Sequence, residues 1–155
     1  MPERDTGTAV LASEADTRAL GARLGAQLRA GDVVVVTGPL GAGKTVLTKG
    51  IAEAMEVDGP VTSPTYVLAR VHPARRDGAP ALVHVDFYRL LDHGGDLEAE
   101  LDSLDLDTDL ADAVVVVEWG EGLAERLAER YLAIRLDRAA GAAETERSAS
   151  WRWSA

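Results

Sequence analysis

The chain has 155 residues, 46% of them hydrophobic, enough for one ordinary domain with a sizeable core. Its 26 acidic and 16 basic residues give a formal net charge of −10, which argues against a dedicated nucleic-acid binder and leaves DNA out of the expected partners. The absence of cysteine excludes disulfides and thiolate metal sites, no apolar run approaches the ~20 residues needed to span a bilayer, and residues 1–5 lack the order of a secretion signal, so a cytoplasmic enzyme is the default expectation.

In chain order, residues 6–11 read as a short strand. Ser13 stands as a helix N-cap with Asp16 three residues on, close to a capping box. Leu20, Leu24 and Leu28 then form a row at i, i+4 and i+8, which predicts an amphipathic helix over 14–30 with Gly31 at its C-cap. Val33, Val34, Val35 and Val36 read as a strand buried on both faces. Gly38, Pro39, Leu40, Gly41, Ala42, Gly43, Lys44 and Thr45 follow, and fit the phosphate-loop pattern G-x-x-x-x-G-K-[ST] without a mismatch. Val46, Leu47, Ile51, Ala54 and Met55 recur behind it at helical spacing, so the motif sits between strand and helix, the context it requires. Glycines let the loop turn its N–H groups inward, and the helix start adds the positive end of its dipole. Lys44 is placed to reach the β- and γ-phosphates of a nucleotide, and the Thr45 hydroxyl to take one Mg²⁺ position. Four specified positions coincide by chance in about half a percent of chains this long, and the flanking elements lower that further.

Gly59 and Pro60 make a turn. The hydroxyl-rich segment 61–65 allows two readings. It is a turn into the strand predicted over 66–71, or a mobile loop whose Thr65 hydroxyl reaches a metal and the γ-phosphate. The residues alone favour the turn. A surface loop over 72–80 leads to a buried strand over 81–86, ending in Asp86 where a Walker B carboxylate holds Mg²⁺. His84, with no second histidine at ligand spacing, reads as a hydrogen-bonded structural residue. Residues 92–112 carry nine acidic side chains and no Lys or Arg, a solvated face or a docking surface for a basic partner. A third buried strand spans 113–117 and ends in Glu118, suited to orient or deprotonate a water near a γ-phosphate, followed by Trp119. A short helix over 123–129 and a half-buried strand over 131–136 come next. Residues 138–155 read as a loosely attached tail in which Trp151, Arg152 and Trp153 pair as an edge strand or fray. No repeat or linker divides the chain, so 1–155 is expected to be one domain.

Four stretches together resemble one family: Gly41 to Thr45, then Val61 to Tyr66 with its Ser-Pro-Thr, then His84 to Leu90 as H-x-D-x-Y-R-L, then Glu118 with Trp119. The chain is similar to the TsaE family, the ATPases of bacterial tRNA threonylcarbamoyladenosine biosynthesis, and Thr17 to Gly21 also resembles that family's first helix. The resemblance implies a three-layer α/β/α P-loop fold with a mainly parallel central sheet and antiparallel marginal strands. It implies ATP and Mg²⁺, and action on a TsaB–TsaD pair that modifies an adenosine beside the anticodon, so tRNA is met only indirectly. By resemblance, Gly38, Leu40, Gly41, Ala42, Gly43, Lys44, Thr45, Val46 and Trp119 contact nucleotide. Thr45, Thr65, Asp86 and Glu118 lie at the metal, and Glu118, Lys44 and Thr65 carry the chemistry. Pro39, in place of a frequent acid, and Gly120, in place of a frequent proline, depart from the family pattern without touching that chemistry. Two alternatives stand beside this reading. A small-molecule kinase needs an arginine lid, for which Arg75 and Arg76 are the nearest candidates. A nucleotide-binding regulatory subunit without turnover fits the lack of an obvious internal arginine finger.

Overall fold

Valine-rich runs dominate the middle of one sheet because branched side chains pack well on a pleated surface. The computed structural model describes residues 6–39, 42–58, 69–86, 112–118, 130–138 and 146–153. In chain order they form β1 (Gly7–Leu11), α1 (Glu14–Gly25), β2 (Val33–Thr37), α2 (Lys44–Met55), β3 (Ala69–His72), β4 (Ala81–Asp86), β5 (Ala113–Glu118), β6 (Tyr131–Arg138) and β7 (Arg147–Trp153). The strands make one mixed sheet of order β1-β7-β6-β2-β5-β4-β3. β6, β2, β5 and β4 run parallel. β3 adds antiparallel to β4, while β7 and then β1 add antiparallel beyond β6. The expected parallel centre with antiparallel margins is therefore present.

Alternation along the strands sorts the core. Val34, Val36, Leu82, Val114, Val116, Leu132, Ile134 and Leu136 share one apolar cluster with Leu20 and Leu24 of α1 and with Leu47, Ile51 and Met55 of α2. Val33, Val35, Val83, Val85, Val115 and Val117 point the opposite way and are buried too. Each fully buried side chain of this kind contributes about 1.5–3 kcal/mol relative to exposure, so the central strands anchor the whole sheet.

The cap of α1 forms as its sequence indicates: Ser13 Oγ accepts from the Asp16 N–H at 3.2 Å, and Asp16 Oδ2 accepts from the Ala12 N–H at 3.1 Å. The helix stops at Gly25, five residues short of the expected end. The N–H groups of Gln27 and Leu28 donate to the carbonyls of Leu24 and Gly25 at 3.0 and 3.2 Å, so the last turn tightens to 3₁₀ spacing and breaks the leucine row. Leu28 still packs on the core from this turn. Gly31 caps no helix; its N–H donates to the Ala113 carbonyl at 2.8 Å and brings the chain into β2.

α1 lies on α2 through small residues. A Cβ on Gly50 would stand 2.0 Å from the Arg18 carbonyl oxygen, and one on Gly21 would stand 2.1 Å from that of Leu47. Arg18 also pairs with Glu53 across the two helices. Gly→Ala inside a helix ordinarily gains about 1 kcal/mol from propensity. Here backbone would have to move, and overpacking of that kind costs about 1–3 kcal/mol or more. Gly50→Ala is therefore expected to lower the melting temperature by several degrees, a shift of about 2–4 °C per kcal/mol for a chain this size. An unchanged or raised melting temperature would show that the helices are not locked at this point.

The C-terminal segment corrects the sequence reading. β7 is neither frayed nor an edge, because it pairs along β6 on one side and along β1 on the other, with Gly7 opposite Trp151. Trp151 is buried on the helix face, and the Arg23 guanidinium lies 5.6 Å from its ring centroid. A large ring buried in the shared core ties this strand down. The edge on this side is β1, where Val10 is exposed. The stretch predicted as strand over 66–71 contributes β3 at 69–72; residues 66–68, the acidic 92–111, the helix expected over 123–129 and residues 139–145 lie outside the described residues.

Candidate functional site

β2 carries the chain to the carboxyl edge of the sheet and delivers it into the glycine loop. Gly38 has φ 153°, and a Cβ there would sit 2.3 Å from the Leu136 carbonyl oxygen of β6, so only glycine lets the loop leave this close to the neighbouring strand. Gly43, the N-cap of α2, has φ 100° and places no side chain over the helix start. The first-turn N–H groups therefore receive no side-chain cap, and the positive end of the helix dipole faces the loop. Lys44 opens the helix and is 7% exposed. Its ammonium folds back into the loop, donating to the Gly38 carbonyl at 2.8 Å and the Pro39 carbonyl at 3.1 Å. A buried ammonium beside uncapped backbone donors is a pre-formed place for a multiply charged anion. Ala42 is fully buried, with its N–H donating to the Pro39 carbonyl at 3.1 Å. Thr45 and Val46 are half-buried in the first turn. Leu40 and Gly41 lie outside the described residues, as do Thr65 and Trp119.

The two strand-ending acids meet at this edge by register. Asp86 pairs with Glu118, and Glu118 with Val36, so the ends of β4, β5 and β2 are level. β5, bearing Glu118, runs between the loop strand and the Asp86 strand. Glu118 is buried on the face that carries the helices, as its in-register partner Val36 is. Asp86 is the last residue of β4. Among the described residues no three His, Cys, Asp or Glu side chains cluster as an all-protein metal cage. Mg²⁺ is commonly held by one or two carboxylates together with substrate phosphates. The Thr45 hydroxyl and the carboxylates at the ends of β4 and β5 fit such a role.

His84 is the residue whose surroundings the sequence did not disclose. It is fully buried in β4, but neither ring nitrogen has a hydrogen-bond partner among the described residues. The expectation of a hydrogen-bonded structural histidine is thus corrected. Its Nε2 stands 3.6 Å from Glu118 Oε1. Two residues ahead of Asp86, it shares that residue's side of the strand, and this spacing was the available signal.

Arg75 and Arg76 lie elsewhere. Arg75 Nε reaches Asp58 Oδ1 at 3.1 Å and its Nη2 donates to the Val57 carbonyl at 3.0 Å, while Arg76 pairs with Glu56 at 2.6 Å. These partners follow the C-terminus of α2, the whole twelve-residue helix away from Lys44, about 18 Å at 1.5 Å per residue. The arginines weighed as a phosphate lid are therefore clamps on the far end of the helix.

A mixed α/β sheet whose central strand feeds a glycine loop and a lysine-led helix defines a protein with a candidate anion site at the carboxyl edge. The sequence matches the family described as threonylcarbamoyl adenosine biosynthesis protein TsaE over residues 11–148, and the chain belongs to that family. It is 68% identical over 148 residues to the tRNA threonylcarbamoyladenosine biosynthesis protein TsaE of Mycobacterium tuberculosis, covering 95% of this chain and 87% of that one. With the protein of the same name from Mycobacterium leprae it shares 67% over 149 residues, 96% of this chain and 91% of the other. The crystal structure of YdiB from Bacillus subtilis superposes with a TM-score of 0.66 at 25% identity, covering 97% of this chain and 87% of that one. The family places the chain in the biosynthesis of tRNA threonylcarbamoyladenosine. Among the described residues no helix is long and apolar enough to cross a membrane.

Proposed function

We propose that this chain is a cytoplasmic P-loop ATPase with a three-layer α/β/α fold that binds and hydrolyses ATP with Mg²⁺. In this reading it supports a TsaB–TsaD complex in threonylcarbamoylation of the tRNA adenosine next to the anticodon. The observation that carries the reading is the Lys44 ammonium held on the Gly38 and Pro39 carbonyls at the uncapped start of α2. When ATP enters, Lys44 exchanges those carbonyls for β- and γ-phosphate oxygens, and the first-turn N–H groups of α2 bind the phosphates from the loop side. Thr45 and Asp86 would hold Mg²⁺, which neutralises charge on the phosphates when bound. Glu118 orients the attacking water and takes its proton. By family resemblance, Leu40 and Gly41 complete the loop, Trp119 lies beside the nucleotide and Thr65 belongs to a switch-like segment reaching the γ-phosphate.

ATPase activity of the purified chain with and without the TsaB–TsaD complex tests this. Slow turnover alone and strong stimulation by the complex are expected, because a partner surface is left to complete the transition-state contacts. Rapid phosphorylation of a small molecule by the lone protein would replace the reading with a kinase. The net charge of −10 favours docking to protein over tRNA, and a switch-like segment around Thr65 adds that TsaB–TsaD should retain the chain in pull-downs better with ATP than without. Tight binding of naked tRNA to the isolated chain at physiological salt would contradict docking to protein.

A further inference from the structure

We infer that His84 is a positioning residue for Glu118, holding one carboxylate oxygen so that the other meets the attacking water. The inference rests on the reading of Glu118 given above. On this side of the sheet Leu82 precedes His84 in β4, Val114 and Val116 lie across on β5, and Arg70 is its register partner on β3. A leucine would satisfy packing against those aliphatic neighbours in β4 and β5. An imidazole with neither nitrogen bonded leaves two polar atoms desolvated without compensation, a choice that packing does not explain. Glu118 Oε1 is likewise buried and without a hydrogen-bond partner, and it faces His84 Nε2 at 3.6 Å. That gap is longer than a hydrogen bond, and catalytic hydrogen bonds are often long before substrate binds and shorten in the complex.

The register makes the contact reproducible. His84 sits opposite Val116 and Asp86 opposite Glu118, so the histidine stands one pleat behind the two acids on the same face of parallel strands. A small rotation of the Glu118 side chain brings Oε1 to Nε2, in the tautomer that carries the ring proton there. The proton stays on His84 throughout. The bond fixes Oε1 and leaves Oε2 as the oxygen available at the loop edge. His84 then touches neither nucleotide nor water.

The test compares TsaB–TsaD-stimulated turnover, KM for ATP, equilibrium ATP affinity and melting temperature for the wild type and four variants: His84→Leu, His84→Gln, Glu118→Gln and the His84→Leu/Glu118→Gln double substitution. His84→Leu should lower kcat about 10-fold, the scale on which an outer partner tunes the group it orients, with ATP affinity and melting temperature kept. His84→Gln, whose amide N–H reaches about as far as Nε2, should recover most of the rate. In the Glu118→Gln background, His84→Leu should cost nothing further, since there is no carboxylate left to orient. Unchanged kcat in folded His84→Leu, or an equal loss in both backgrounds, would overturn the positioning role while leaving Glu118 catalytic. Normal turnover of Glu118→Gln would instead remove the reading of Glu118, and the positioning role with it. Should His84→Leu fail to fold, His84→Gln and His84→Asn decide the matter. The glutamine should be active and the shorter asparagine slow, and equal rates would refute the inference.

Discussion

Lys44→Ala is expected to abolish ATP hydrolysis and to weaken ATP binding by about 30-fold or more, the roughly 2 kcal/mol of a charge-assisted hydrogen bond to phosphate. Its side chain is the cation that the fold holds inside the glycine loop, 2.8 Å from the Gly38 carbonyl and 3.1 Å from that of Pro39. Those carbonyls now solvate the ammonium, so its desolvation is largely complete before a nucleotide arrives. The rate should fall further than the affinity, because charge on the transferring phosphoryl group grows towards the transition state. Loss of fold is the competing explanation, and the structure limits it. Leu47 and Ile51 of α2 anchor the helix in the core, and Thr48 Oγ1 binds the Lys44 backbone carbonyl at 2.9 Å, a contact the alanine keeps. Melting curves with and without nucleotide separate the two. In wild type, ATP at a hundred times its Kd stabilises by about 2.7 kcal/mol, whereas the folded variant, binding about 30-fold more weakly or worse, should gain about 0.9 kcal/mol or less at that concentration. An unchanged shift and unchanged turnover in Lys44→Ala would remove the basis of the ATPase reading.

How much the sequence disclosed depended on how local each determinant is. The loop, its strand and its helix were legible together, since β-branched repetition over 33–36 and the glycine-lysine pattern sit within one short stretch. β4 and β5 were legible for the same reason, and their acids fell at strand ends because apolar runs stop where the sheet meets water. β7 was misplaced because its position rests on pairing with residues far off in sequence, Gly7 against Trp151. Alternating Trp151, Arg152 and Trp153 say which face is apolar, but nothing in them says that a strand lies on either side. The length of α1 failed on a subtler point. Leu28 is apolar at the right spacing and does reach the core, but from a tightened turn rather than from the helix. His84 needed register: only once β4 and β5 are aligned does a histidine in one strand face a glutamate ending the other.

The same alignment separates the work of the two acids. Asp86 and Glu118 are register partners at the ends of adjacent parallel strands, and Val36, one residue before Thr37 and two before the loop, is level with both. Equal placement does not imply equal roles. Glu118 is on the strand adjoining the loop strand, while Asp86 is one strand further away. If Asp86 holds Mg²⁺, directly or through water, Asp86→Ala should weaken metal-dependent nucleotide binding itself, and added Mg²⁺ should recover part of it. If Glu118 acts on the attacking water, Glu118→Gln should leave ATP affinity close to wild type while stimulated turnover falls by about 10²-fold or more, the scale of a lost general base. The glutamine keeps the volume of the buried glutamate, so packing on the helix face is preserved and a rate effect cannot be assigned to a collapsed strand end. Affinity and stimulated turnover, measured side by side on both variants across a Mg²⁺ series, decide between the assignments. Normal hydrolysis by Glu118→Gln would reduce Glu118 to a strand terminator. Equal loss of affinity in both variants would make the pair two metal ligands, and the water would then have to be positioned from the partner's side of the site.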